Sequence, residues 1–494
     1  MKRLFILLVI VLSAGLTSPV AAAQEKAETI HSQIIYNVLV DRFNNGDISQ
    51  TEQVNLDDPN AYHGGDLKGI TDKLDTLKEL GYTTLVLSPI MDNAPGGFHG
   101  YWIENLHKVD PQYGTMEDLK KLVKEAHERD MKIVLEFVTN YVAETHPMLD
   151  DPAKADWVKP ESDVASHQWL EQVVVLDQTN PEVQSFLTEA ADFWIKEANI
   201  DGYRFHAADK TNPDFLEQLT THIDELNPEF FQLADILEPE TYNKGLADFS
   251  TIDAVENNSL YEPMAEVFSE SGTPVSTIYE TWVENGKKEG LNYIDNKYTE
   301  RFTKKLLVNG LNPLTTWKLA LTYLYTAPGT PMIYQGSEIP MANTLQLVQF
   351  NSQDEDLKKY INRVSALRSQ FPALQKGNYE LLGSSGAMSL FKRTYENESI
   401  YIAINNDEQS QSISIDGIES GMQLKGLLGD NLVRENEKGE FKIGLARQTA
   451  EVYVVQKDTG LNWRFIGVVL GVFGVFVAGV IYLTRKQKKR EAGV

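Results

Sequence analysis

Four stretches decide how this chain folds: KIVLEFVTNY (132–141), DGYRFHAADK (201–210), FFQLADI (230–236) and LNYIDNKYTER (291–301). Each runs from a short segment rich in β-branched and aromatic residues into polar ones, the pattern of a buried strand opening into a loop. Working outward, four more runs of the same kind appear: IIYNVLV (34–40), TTLVLSP (83–89), IDAVENN (252–258) and TPMIYQG (330–336). Helical patterns such as TMEDLKKLVKEAHERD (115–130) and EVQSFLTEAADFWIKEA (182–198) lie between them. Eight strands, each followed by a helix, predict an α/β fold: a (β/α)8 TIM barrel. The longest gap between a strand and its helix, 141–181, predicts a short inserted subdomain after the third strand.

From about residue 377 the pattern changes. NYELLGSSGAMSLFKRTYENESIYIAINNDEQSQSISID (378–416) and GEFKIGLARQTAEVYVVQ (439–456) alternate apolar and polar residues between turn signals. They predict an all-β sandwich over 377–457, following a barrel over 24–376.

The two ends carry apolar segments. Lys2 and Arg3 precede an apolar run that reaches Ala21-Ala22-Ala23, the form of a signal peptide over 1–23. Near the other end, FIGVVLGVFGVFVAGVIYL (465–483) holds no charge, and at 1.5 Å per residue it spans roughly 28 Å, about a bilayer's hydrocarbon thickness. Trp463 stands at its outer border and RKQKKR (485–490) follows it. The expectation is one transmembrane helix over 463–484 and a cytoplasmic basic tail over 485–494. The protein would then sit in the cell membrane as a single-pass protein with residues 24–462 outside.

The net charge is −26, and the segment between the two apolar ends carries about −33. That balance argues against nucleic acid as a partner, which needs a basic footprint. With no cysteine there is no disulfide framework; a domain this large buries a sufficient core without one.

The four opening segments resemble the signature segments of the α-amylase family, glycoside hydrolase family 13. There the second segment ends G-x-R-x-D, the third ends G-E, and the fourth reads N-H-D-x-x-R. The resemblance extends to IIYNVLVDRFNNGD (34–47), HGGDLKGITDKLDTLKELGYTTLVLSP (63–89), GFHGYWIENLHKVDPQYGTMEDL (97–119) and LYTAPGTPMIYQGSEI (324–339), in that order and nearly throughout the segment between the apolar ends. It implies a barrel with a β-sandwich behind it, acting on α-glucan.

Carried over position by position, the resemblance also implies a changed site. His206 stands at the nucleophile position, Asp235 at the acid/base position one methylene short, and Tyr298 at the third carboxylate position. An imidazole nucleophile would give a cationic intermediate, without the anion that pairs with an oxocarbenium-like transition state. A carboxyl withdrawn by about 1 Å costs about a hundredfold in rate. The neighbouring Asp209 should face elsewhere. Arg204 is retained, and Glu136 at the end of strand three is its expected partner. Of the family's substrate-binding histidines, His99 is retained and Tyr141 and Lys297 replace the others. Tyr101 and Trp102 match an aromatic pair whose tyrosine stacks on the sugar.

Asn140 and Asp177, with the carbonyl of Lys210, match a structural calcium site. Asn45, Asp47 and Asp66, with the carbonyl of Gly64, match a second loop calcium. Oxygen donors of this kind suit that ion, although Asn-Gly-Asp is equally a turn signal. A different reading groups His99, His206, Asp235 and Glu136 as imidazole and carboxylate ligands of a zinc ion. Two functions follow. One is a hydrolytically impaired pseudoenzyme that binds α-glucan, a maltooligosaccharide or a protein partner. The other is an active glycoside hydrolase or transglycosylase on α-1,4-glucan with altered catalytic residues.

Overall fold

The computed structural model describes residues 29–49, 54–159, 167–238, 251–458, 460, 463–491 and 493; the expected signal peptide lies outside them. Each of the eight expected runs contains a strand of one parallel sheet: β1 (Ile35–Val38), β2 (Thr84–Leu87), β3 (Lys132–Val138), β4 (Gly202–His206), β5 (Phe231–Ala234), β6 (Ala254–Val255), β7 (Leu291–Asn292) and β8 (Thr330–Tyr334). They pair in the order β6-β5-β4-β3-β2-β1-β8-β7. A parallel bridge between Glu256 and Leu291 then joins the two outer strands and closes the ring.

Strand periodicity assigns each side chain to the lumen or to the helices. Ile35, Val86, Val134, Phe231, Leu233, Leu291 and Met332 form one core cluster, the packed interior of the barrel. Their sequence neighbours, among them Tyr36, Leu85, Leu87, Ile133, Leu135, Phe137, Tyr203 and Phe205, belong to the cluster under the helices. A Cβ on Gly202 would come within 2.6 Å of the Phe231 carbonyl oxygen and 3.0 Å of Val134. Only a glycine fits that inner layer.

The helices show the expected local chemistry. α1 (Met116–His127) starts at a capping box of Thr115 and Asp118 and buries Leu119, Leu122, Val123 and Ala126, one helical stripe. α2 (Pro181–Ala198) has Asn180 as its cap and proline in the first turn. Between β5 and β6, where a helix is expected, the described residues hold none; 239–250 lie outside them. Within 141–181, Tyr141–Ala143 and Val173–Val175 pair as a two-stranded sheet.

The β-rich end forms a six-stranded antiparallel sheet facing a two-stranded one, Gln411–Ile415 with Phe441–Leu445. Alternation splits its strands between two cores. Leu390, Tyr401, Ala403 and Tyr453 face the small sheet's Ile413, Phe441 and Ile443, whereas Phe391, Ile400, Ile402 and Val452 join the barrel's outer core. Asn406 fastens the junction by donating to the carbonyls of Val267 (2.7 Å), Glu270 (3.0 Å) and Thr273 (3.1 Å). The last helix, α3 (Trp463–Glu491), contains a stretch, Gly467–Lys488, of mean hydropathy 2.3 with none of its side chains buried. It is long and apolar enough to cross a membrane.

Candidate active site at the barrel mouth

The inward parity that buries Val134 continues one step to Glu136. On β4 it passes from Gly202 to Arg204 and His206, and on β5 from Leu233 to Asp235. Register sets Glu136 beside Arg204, Val138 beside His206 and Arg204 beside Leu233. Strand geometry alone therefore brings four ionisable groups to the C-terminal rim, where barrel enzymes place their chemistry. Glu256 follows β6, and Lys297 and Tyr298 come from the loop after β7.

These groups form one closed ionic cluster. The Arg204 guanidinium lies 2.7 Å from Glu136 and 3.0 Å from Asp235, and donates a short bond to Glu256. Lys297 donates to Glu136. His206 Nδ1 sits 3.2 Å from Glu136 and 3.0 Å from Asp235. The Tyr101 hydroxyl donates a short bond to Glu136 and lies 2.7 Å from the Tyr298 hydroxyl, which is 3.4 Å from His206 Nδ1. Asp235 also accepts a short bond from the N–H of Ala207, which fixes that residue's left-handed conformation (φ 46°).

The charges balance. Burial would raise the carboxyl of Glu136, but Lys297 and Arg204 outweigh it and hold the group well below the usual range. Asp235 is likewise held low against burial by His206 and Arg204. At His206 burial opposes the charge, yet Asp235 and Glu136 raise its pKa above the ordinary value. Burial dominates at Glu256, which is raised despite Arg204 because Asp235 is a second negative neighbour; at Lys297 burial lowers the ammonium, incompletely offset by Glu136. With His206 protonated, three cations face three carboxylates. A low-dielectric site of this kind is stable only when so paired.

The mouth is covered. Tyr101 is fully buried, with His206 4.5 Å from its ring, His99 stacked at 5.5 Å and the Lys297 ammonium 5.1 Å away. Trp169, from the 141–181 insertion, stacks on His99 at 5.4 Å and 18° and lies 6.1 Å from Tyr101 and 5.7 Å from Tyr298. Its carbonyl accepts from the Trp102 indole at 2.8 Å.

The structure thus brings His206, Asp235, Tyr298, Arg204, Tyr101 and His99 together, with Trp102 at the edge. The Tyr101 ring is enclosed by its neighbours, and its hydroxyl is engaged by Glu136 and Tyr298. Asp209 faces away as expected, accepting from the N–H groups of Leu237 and Glu238. Of the zinc grouping, three members meet. Glu136, His206 and Asp235 offer ligand atoms within 4.8 Å of one another, but His99 lies outside that set, with Nδ1 accepting from Tyr101 N–H. Arg204 and Lys297 already neutralise the carboxylates, so a dication would be surplus charge. Glu256 and Trp169 escaped the sequence reading. The signal for Glu256 was a carboxylate at the end of a barrel strand; for Trp169 there was none.

At the first expected calcium site, Asn140 donates its amide N–H to the Ala207 carbonyl at 3.0 Å, and its buried Oδ1 has no partner among the described residues. Asp177 accepts from the N–H and hydroxyl of Thr179 through one oxygen. At the second, the buried Oδ1 of Asn45 is also without a partner among the described residues, while Asp47 accepts from Ser49. Asp66 organises this loop: its carboxylate accepts from the N–H groups of Gly46, Asp47 and Gly69 and caps the helix Leu67–Thr71. The two free amide oxygens fit a hard cation.

Residues 37–169 and 157–375 match the family described as the catalytic domain of α-amylase, and residues 377–453 match the α-amylase C-terminal domain. The intracellular maltogenic amylase of Bacillus subtilis is 28% identical over 421 residues, covering 78% of this chain and 71% of that protein. Among solved structures, an Anoxybacillus α-amylase is 40% identical with a TM-score of 0.83, covering 88% of this chain and all of that one. The α-amylase of Geobacillus thermoleovorans, complexed with acarbose, is 38% identical with a TM-score of 0.80 over the same share. With its barrel, its C-terminal β-domain and these matches, the chain belongs to the α-amylase family.

Proposed function

We propose that this chain is an α-glucan-binding member of the family that has lost the hydrolytic mechanism. The observation that carries the reading is His206. Where a nucleophilic carboxylate would stand, a buried imidazole is clamped between Glu136 and Asp235, and Tyr298 beside it is a phenol whose pKa burial and Glu136 raise well above 10. No group in the cluster is an unpaired anion ready to attack an anomeric carbon. The retained His99, Tyr101 and Trp102 wall supports sugar binding, and the acarbose-bound neighbour makes a maltooligosaccharide the first ligand to try. Export, with α3 as a single membrane anchor, fits the two apolar ends. A structural calcium held by Asn140 and Asp177 fits the free amide oxygen there.

Two observations favour the second reading, an active enzyme on α-1,4-glucan. The curated relatives are themselves amylases and cyclomaltodextrinases. The mouth also retains inward carboxylates, Glu136 and Asp235 among them. Calorimetric titration of the full chain with acarbose, beside product analysis of maltooligosaccharides, separates the two. Heat without products supports the binding role. Products that vanish in Asp235→Asn establish the enzyme.

A further inference from the structure

We propose that Trp169 is a built-in occupant of the sugar position, an internal ligand that a glucan must displace. The inference rests on the glucan-binding reading above. The indole lies nearly parallel to His99 and Tyr101, at 18° and 26°, as a pyranose ring lies on an aromatic wall. Phe98 meets it edge-on at 5.9 Å and Tyr298 flanks it at 5.7 Å. These are the same rings that would receive a sugar. Although Trp169 belongs to an inserted loop, it is only 4% exposed, whereas its neighbours Gln168 and Glu171 face solvent.

Two features separate an occupant from ordinary core. First, the indole Nε1 is buried with no hydrogen-bond partner among the described residues. A buried tryptophan normally satisfies that donor, and a surface built to receive a hydroxylated ring has no reason to complement an indole. Second, the attachment is slight. Among the described residues the short turn Gln168–Leu170 is held across the mouth by one hydrogen bond, from the Trp102 indole to the Trp169 carbonyl, while the N–H groups of Trp169 and Leu170 bond within the turn to His167 and Leu170 is buried. Such a contact is exchangeable for another ring of similar area. Ligand affinity is then reduced by the fraction of molecules in which the indole is in place. The class of ligand is a neutral pyranose chain, since the cluster beneath is already charge-balanced and offers no surplus charge to an ionic one.

The test compares the full chain with Trp169→Gly and Trp169→Phe in a sugar-free detergent. Hydrogen exchange reports cover over residues 98–102, and titration with acarbose reports binding. Trp169→Gly should speed exchange at 98–102 at least tenfold with the barrel strands unchanged, and should bind acarbose at least tenfold more tightly than the wild type. Trp169→Phe keeps a stacking ring and should resemble the wild type, which separates loss of cover from loss of fold. Unchanged exchange, or equal acarbose affinity in wild type and Trp169→Gly, would overturn the internal ligand and leave glucan binding standing. Faster exchange with no acarbose binding by either protein would overturn both.

Discussion

Two buried clusters stand on the same barrel rim, and they handle charge in opposite ways. In the mouth, Glu136, Asp235 and Glu256 face Arg204, Lys297 and His206, and each anion has a cation in contact. After β8, Glu338 has no ion-pair partner among the described residues: Tyr36 donates to its Oε1 at 2.9 Å, the backbone N–H groups of Gly336 and Glu338 give some support, and Oε2 makes no hydrogen bond there. The nearby Arg301 is engaged with Asp295 at 3.4 Å, the Gln335 carbonyl at 3.1 Å and the Ser337 hydroxyl at 3.2 Å. Burial therefore pushes Glu338 up to about 7, while Glu136, equally buried, is held well below the usual range. Depth is the same; the count of cations differs. What sets the mouth apart from the Glu338 site is its completeness as an ion-pair core.

The largest effect should come from breaking that balance. Glu136→Gln leaves Arg204, Lys297 and His206 sharing two carboxylates. Removing one partner of a buried pair typically costs about 3–5 kcal/mol, and urea unfolding should show a loss of that order. A loss under about 1 kcal/mol would mean that water already reaches the cluster. His206→Asp restores the family's residue type at the nucleophile position, but it adds a carboxylate beside Glu136 and Asp235 with no new cation. It should destabilise by about 3 kcal/mol and release no products from maltooligosaccharides. Recovered hydrolysis would show that one side chain separates this mouth from a working one.

The contrast also marks what the sequence made legible. Eight strands were visible because a closed parallel barrel buries both faces, so each strand reads as a short apolar run. The inward side chains Arg204, His206 and Asp235 were legible through the motif flanks, and Glu136 was paired with Arg204 correctly. Glu256 was hidden because β6 contributes only Ala254 and Val255, too short a strand for parity to be counted along it. Lys297 was visible as a replaced histidine, but its bond to Glu136 crosses 161 residues and no local pattern records it. Trp169 was hidden for a different reason: a loop tryptophan has no periodicity, and its stacking on His99 follows from where the insertion folds back. Asp66 shows what a motif leaves out: nothing local in Gly-Gly-Asp records that its carboxylate accepts from the N–H groups of Gly46 and Asp47.

The smallest effect tests the other cluster and depends on pH. In the unfolded chain Glu338 ionises near 4.5, and in the fold near 7. The folded state therefore holds the proton more tightly between those values, and stability is complete below about 4.5 and falls as pH rises through 7. That interval of about 2.5 units corresponds to at most about 3 kcal/mol. Glu338→Gln removes the ionisation but buries an amide with an imperfect set of partners, which offsets part of the gain. The expected outcome is a variant about 1–2 kcal/mol more stable than wild type at pH 8 and no more stable at pH 4. His206, raised above its ordinary value, also loses its contribution as pH rises, so wild type and variant share that slope and it cancels in their difference. If the difference between the two proteins does not change from pH 4 to pH 8, Glu338 is compensated after all, and the distinction between a paired and an unpaired rim cluster fails.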